Sequence, residues 1–228
     1  MDPEPRPLVI CSGWRAWPVL ANRLARALRR RTGRPASGVL PVSYPLEATI
    51  PGAVAKVLRA VERHWPSDDP DRTAAVDVVG VSMGGLVARL ASAGDPWGRP
   101  AGAKRLDVRR LFTLATPHRG ARLARFVALD AAARDMRPGS PFYDRLDALD
   151  DRTRDAPYEL VCYARLRDVW VGAKQTAPPG LDPIWVPTPW WSLAHLLVTT
   201  DRRLIDDIAG RLQGRPPRLE HAGPPPRD

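Results

Sequence analysis

The segment Gly80-Val81-Ser82-Met83-Gly84-Gly85 sets one hydroxyl among glycines at the junction of two differently patterned runs. Before it, Ala74-Ala75-Val76-Asp77-Val78-Val79 is apolar and β-branched and reads as a strand; after it, Leu86 to Ala93 reads as a helix. A nucleophile on so sharp a strand-to-helix turn sits in a strained backbone conformation. Side chains two residues to either side would collide with the turning backbone, and Gly80 and Gly84 answer that need. The helix that follows aims free N–H groups and the positive end of its dipole at the same spot, where an oxyanion would develop. Such turns also cradle phosphates, but this one fits neither G-x-x-x-x-G-K-[S/T] nor G-x-G-x-x-G.

A serine needs a base, and the chain offers His64, His118, His195 and His221. His221 lies in a proline-rich tail and His64 ends a helical run upstream of the serine. For a nucleophile of this kind the acid and then the histidine come later in the chain. His195, after the last strand and at the start of the final helical stretch, meets that order. His118 follows a strand end and would also reach the carboxyl edge of a sheet, as a wall of the substrate site or a loop-ordering residue. Asp168, on the exit from the strand Tyr158 to Tyr163, is the expected acid; it would fix the His195 tautomer. Asp182 is the runner-up, and Asp147, Asp150 and Asp151 read as solvated helix surface. An oxyanion hole would take the N–H of Met83 and, from the loop Ser12-Gly13-Trp14, that of Trp14. Trp185, Trp190 and Trp191 precede His195, and Trp14 and Trp170 flank the proposed loops. Their aromatic surface suits an acyl chain or a lipid interface. The expected substrate contacts are Ser12, Val81, His118, Trp190 and Trp191.

These residues need a scaffold, and strand and helix patterns alternate throughout the chain. Further strands are read at Leu8 to Cys11, Val39 to Ser43, Leu111 to Ala115 and Ile184 to Val186. Pro41 argues that the Val39 run is an edge. Helices are read from Pro18 to Arg31, with Val19, Leu20, Leu24, Ala27 and Leu28 on the core face, from Ile50 to Trp65, and from Leu193 to Leu212. From Ala121 to Pro157 the pattern is helical and charged. The alternation predicts an α/β fold, a mostly parallel sheet flanked by helices. One domain would span 1–213, and the tail 214–228 is expected to be disordered. No internal repeat appears.

The 228 residues carry a formal charge of +10 from 35 basic residues, only three of them lysine. Arg23, Arg26, Arg29, Arg30, Arg31 and Arg34 read as the solvated face of one helix. A nucleic-acid footprint would interleave aromatics there, so no nucleic-acid partner is expected. Weak association with an anionic membrane surface stays open, and nothing indicates an oligomeric state. No apolar run approaches the roughly 20 residues of a membrane span. The N-terminus lacks the basic-then-apolar order of a secretory leader. Cys11 and Cys162, in apolar runs, read as buried free thiols. Together these point to the cytoplasm.

Four pieces, in order, resemble the α/β-hydrolase superfamily and within it the lipase and esterase branch. They are Val9-Ile10-Cys11-Ser12-Gly13-Trp14, Gly80-Val81-Ser82-Met83-Gly84-Gly85-Leu86, Leu114-Ala115-Thr116-Pro117-His118-Arg119-Gly120, and Asp168 followed by His195. The resemblance spans about Leu8 to Leu212. It implies Ser82, Asp168 and His195 as a triad, no cofactor and no metal, and a short helical cap or lid over about 121–157. Many such lipases have His-Gly where this chain has Ser12-Gly13, and histidine where Val81 stands. The implied activity is hydrolysis of a carboxylic ester, small-molecule or lipid, with an apolar acyl group, through an acyl-enzyme on Ser82. Thioester hydrolysis and acyl transfer would use the same parts. A non-catalytic binding module on this fold is the reading of another class.

Overall fold

Short apolar runs separated by helices cannot pair as hairpins, and here they pair side by side in one direction. The computed structural model describes residues 5–127, 129–150, 158–189 and 193–226. Among these, β1 (Leu8–Cys11), β2 (Val39–Val42), β3 (Val76–Val81), β4 (Val108–Leu114), β5 (Glu159–Arg165) and β6 (Ile184–Val186) form one sheet. Its order is β2-β1-β3-β4-β5-β6 and every pairing is parallel. Strand order reverses beside β1: the chain steps out to β2 and then returns to β3 on the other side. The carboxyl ends of β1 and β3 therefore flank a switch point, where open α/β sheets hold their ligands.

Pro41 sits in edge strand β2, as its missing donor predicts. The Val42 carbonyl faces β1, accepting from the Ser12 N–H at 3.1 Å; since consecutive residues alternate, the Pro41 nitrogen faces outward.

Helices α1 (Pro18–Thr32) and α6 (Arg202–Leu212) cover the face bearing Leu8, Ile10, Val79 and Phe112. Helices α2 (Ile50–His64) and α3 (Met83–Ser92) cover the face bearing Val9, Cys11, Val76 and Val78. With both faces covered, strand residues are buried on either side, which is why these runs read as continuous rather than alternating. The predicted face of α2 is the buried one, and the Thr49 hydroxyl caps the helix by accepting from the Gly52 N–H at 3.0 Å.

Several expectations need correction. The core face of α1 is Ala21, Leu24, Ala25 and Leu28; Val19 and Leu20 are exposed, because the first turn overhangs the carboxyl end of the sheet. Arg34 does not belong to a solvated helix face. It lies past the left-handed Gly33 that ends α1, is buried, and donates to the Arg6 carbonyl at 3.2 Å beside the buried Asp77 carboxylate. Asp77 also accepts from Arg6 at 3.0 Å and from Arg110 at 2.6 and 3.0 Å.

Asp147 and Asp150 are not plain solvated surface either, since both pair with the fully buried Arg89, at 2.8 and 2.6 Å. Burial alone would lower the Arg89 pKa, but Tyr158, Asp150 and Asp147 raise it above its ordinary value. Asp151 lies outside the described residues.

The closing helix begins at Arg202 rather than Leu193. Asp201 caps it, accepting from the Arg203 N–H at 3.1 Å, and before it residues 194–197 form a turn and Val198–Thr200 a 3-10 segment. Leu193, Leu196 and Leu197 stay exposed, so burial does not draw this stretch into a helix face.

Described residues of the tail touch the domain at three points. The Asp207 carboxylate accepts from the Arg218 and Leu219 N–H groups at 2.5 and 3.0 Å, and the Trp185 indole donates to the Gly223 carbonyl at 3.1 Å. In the expected cap, a 3-10 turn at Leu123–Arg125 precedes α4 (Ala131–Asp135) and α5 (Pro141–Leu149). Its residues 128 and 151–157 are outside the description. Among the described residues no helix is long and apolar enough to cross a membrane. Cys11 and Cys162 are both buried, Cys162 with its Sγ 3.7 Å from the His118 Nε2, and burial pushes the Cys11 thiol up to about 12.

Candidate active site

Ser82 stands between the end of β3 and the start of α3 with φ 51° and ψ −124°. A non-glycine residue there costs on the order of 1–3 kcal/mol and must be held in place. Three bonds hold it. The Ser82 N–H donates to the Leu114 carbonyl at 2.8 Å, and the Ser82 carbonyl accepts from the Thr116 hydroxyl at 2.8 Å and the Gly85 N–H at 3.1 Å.

The glycines around it serve close approach. A Cβ on Gly80 would lie 2.5 Å from the Gly85 Cα, and one on Gly84 would lie 2.2 Å from the Cys11 carbonyl oxygen. Both collisions are with backbone, as the sequence reading requires. Gly85, which that reading left without a role, is equally constrained: a Cβ would meet the Thr116 hydroxyl at 2.3 Å.

The His195 Nε2 lies 3.1 Å from the Ser82 Oγ, and its Nδ1 lies 2.8 Å from the Asp168 Oδ2. Asp168 is buried, and its other oxygen accepts from the Trp170 and Val171 N–H groups at 3.0 and 3.1 Å. The carboxylate is thereby fixed by backbone and turned toward the imidazole. An ionised carboxylate only accepts, so Nδ1 carries the proton and Nε2 presents its lone pair to the Ser82 hydroxyl. Trp170 stacks on the imidazole, with ring centroids 5.0 Å apart and planes at 27°. The Arg165 guanidinium donates to the Ala194 carbonyl at 3.0 Å and steadies the loop one residue before His195. The runner-up Asp182 is exposed, and His64 bonds the Ser37 carbonyl at 3.1 Å.

On the other side of Ser82 lies the loop after β1. A Cβ on Gly13 would come within 3.3 Å of the Ser82 Cβ. Met83 opens α3, so its N–H has no carbonyl a turn earlier to bond. Neither it nor the Trp14 N–H has a hydrogen-bond partner among the described residues. The buried Tyr44 hydroxyl donates to the Ser12 carbonyl at 2.5 Å, and burial keeps its pKa well above the ordinary value, so it retains that proton. Tyr44 was missed in the sequence because nothing in its neighbourhood signals a partner so distant along the chain. The Trp14 indole bonds both Asp130 oxygens, at 3.1 and 3.0 Å, tying the loop to α4, which Asp130 caps.

These groups border a cavity of about 120 Å³. Its walls include Leu20, Val81, Ala121, Val127, Met136 and Leu196. Tryptophan aside, its polar lining is confined to Ser12, Ser82, His195 and Thr199. Ser12 and Val81 thus line the cavity. Trp190 and Trp191 lie outside the described residues, and Trp185 turns toward the tail instead.

His118 is not brought to the site. It is fully buried, its Nδ1 faces the Arg89 guanidinium at 3.3 Å, and its Nε2 lies 3.1 Å from the Thr113 hydroxyl. Because arginine only donates, Nδ1 accepts. His118 orders the loop after β4 from beneath and does not line the cavity. Among the described residues no group of three or more His, Cys, Asp or Glu side chains gathers as a metal site would.

The architecture recurs in solved structures. The lin2722 gene product of Listeria innocua aligns with a TM-score of 0.61 at 12% identity, over 94% of this chain and 96% of that one. Bacillus licheniformis lipase BlEst2 in its mature form aligns with a TM-score of 0.55 at 15% identity, over 88% and 89%. Phospholipase PlaB from Legionella pneumophila aligns with a TM-score of 0.55 at 12% identity, over 75% of this chain and 45% of its own. No family model matches the chain, and no curated protein matches it. At such identities the likeness is one of architecture: a parallel sheet in this order, flanked by helices, is the α/β-hydrolase fold, and this chain has it.

Proposed function

We propose that the protein is a serine hydrolase that cleaves carboxylic esters with an apolar acyl group. The observation that carries this is His195 bridging Ser82 and Asp168, at 3.1 and 2.8 Å, on the wall of an apolar cavity. As the Ser82 oxygen attacks the ester carbonyl, His195 Nε2 takes the hydroxyl proton, and the new imidazolium is held by the Asp168 carboxylate. The carbonyl oxygen, now negative, is received by the N–H groups of Met83 and Trp14. The same proton passes to the departing alcohol. Water, deprotonated by His195, then attacks the acyl carbon; the bond to Ser82 breaks, the carboxylic acid leaves and His195 returns the proton to the Ser82 oxygen.

The cavity sets the expected chain length. At about 120 Å³ it is on the scale of the ~150 Å³ cavities that accept a benzene ring. It suits an acyl group of about six carbons, longer chains running out along the mouth. The test combines labelling by a fluorophosphonate probe with hydrolysis of p-nitrophenyl esters of graded length. Labelling and turnover should both vanish in Ser82→Ala, with a rate maximum at medium chains. Labelling that persists in Ser82→Ala would overturn the assignment, and a properly folded wild type inert to probe and esters would favour a binding module.

A further inference from the structure

Large apolar side chains left in water are not scattered over this molecule. Of the thirteen such exposed residues among those described, eleven fall in four short stretches: 17–20, 126, 127 and 129, 169–170, and 193–197. Trp17 is 66% exposed and Phe126 85%. Each stretch also sends a residue into the cavity wall: Leu20, Val127, Trp170 and Leu196. The four stretches therefore gather as an apolar rim around the cavity mouth, although they come from four separate parts of the chain. A soluble surface does not leave a contiguous apolar patch of this kind without a partner for it.

Among the described residues of these stretches and their immediate flanks, the exposed charges have one sign. Arg125 and Arg167 are exposed, and Arg15, half exposed, lies over Asp130 at 3.1 Å. The acids of the same stretches, Asp130 and Asp168, are buried beneath. A second copy docking on this face about a two-fold axis would bring arginine against arginine. An anionic lipid surface would instead take the apolar side chains among its acyl chains and the guanidinium groups among its headgroups.

We propose that this rim is the face by which the protein adsorbs to an anionic lipid surface, with the cavity mouth turned toward ester chains held there. The inference deepens the ester-hydrolase reading by naming how substrate is presented. Its test needs no turnover. Ser82→Ala protein is sedimented with vesicles of phosphatidylcholine alone and of phosphatidylcholine mixed with phosphatidylglycerol. Partitioning onto the mixed vesicles should be on the order of tenfold stronger, and should weaken as salt rises.

Trp17→Ser combined with Phe126→Ser removes rim area but no cavity-lining residue, and should lower partitioning about tenfold. The same pair placed in the wild type should leave hydrolysis of a short water-soluble ester unchanged, which also reports folding. Equal binding to both vesicles, no binding, or full binding by the double variant would overturn the inference. So would a dimer that the double variant abolishes. Absent ester hydrolysis with intact vesicle binding would sink the ester reading and leave this one standing.

Discussion

A methyl group added at Gly84 would stand 2.2 Å from the Cys11 carbonyl oxygen and 2.7 Å from the Ser12 carbonyl oxygen. Neither atom can swing aside, since both belong to the backbone where β1 passes into the loop beside Ser82. Restoring ordinary contact requires α3 and this loop to part by about 1 Å. Gly84→Ala should therefore act twice. Overpacking at such a site costs about 1–3 kcal/mol, a fall in Tm of roughly 2–12 °C for a chain of this size.

The displacement also separates the Met83 N–H from the Trp14 N–H, the two donors assigned to the oxyanion. A misplacement of about 1 Å costs on the order of a hundredfold in kcat. Thermal denaturation and steady-state hydrolysis of a p-nitrophenyl ester read the two effects separately. Gly94→Ala is the control, because nothing lies within 4 Å of its Cβ position. Gly84→Ala with wild-type Tm and kcat would refute the close-approach argument.

Three further substitutions probe the supports. Tyr44→Phe strips the hydroxyl from the Ser12 carbonyl and should cost about 1–3 kcal/mol of stability by denaturant titration. It should lower kcat more than it changes KM, and an unchanged kcat would remove Tyr44 from the oxyanion loop's support. Asp168→Asn keeps an oxygen for the Trp170 and Val171 N–H groups but no longer fixes Nδ1–H. Fold is expected to survive while kcat drops about 10⁴-fold, by analogy with the corresponding change in chymotrypsin-type proteases.

Asp207 is the pH probe. Burial alone would raise its pKa, but the Tyr163 hydroxyl, the Arg211 guanidinium and two tail N–H groups bring it below the ordinary value. Its stabilisation is therefore complete above the unfolded pKa of about 3.9 and is lost as pH falls through the lower folded value. Asp207→Asn should destabilise by about 1–3 kcal/mol at neutral pH. The gap to wild type in urea titrations should narrow in acid, and a gap that widened there would contradict the shift.

The elements most legible in the sequence were those whose geometry leaves few alternatives. Gly80 and Gly84 could be placed because a backbone passing within van der Waals contact of another admits no side chain, whatever the surroundings. Pro41 marked an edge for an equally local reason. Asp168 and His195 could be placed by their position after successive strands. The misreadings share another cause: burial of charge depends on partners far away in the chain. Arg34 and Asp150 looked like surface, yet Asp77 and Arg89 take them inside. His118 looked like a site residue because it follows a strand end, and the same Arg89 holds it under the sheet. The apolar residues Val19, Leu193 and Leu197 carried a helical or core pattern, but they are turned outward around the cavity mouth. Hydrophobic periodicity reports which residues avoid water, and it does not say whether the protein itself or a partner shelters them.

The hydrogen bond from Ser82 to His195 joins positions 113 apart in the chain. The nucleophile's turn needs only β1, β3, β4 and α3, all of which leave the ribosome well before β6 and the His195 loop. A growing chain would therefore carry a formed elbow without a base, and would be chemically silent until the last strand is laid on the sheet's far edge. Contacts across such distances form late. In refolding, ester hydrolysis should return after helical circular dichroism has recovered. Catalysis here would report completion of the fold, and premature reaction with cellular esters during synthesis would be prevented by chain order alone.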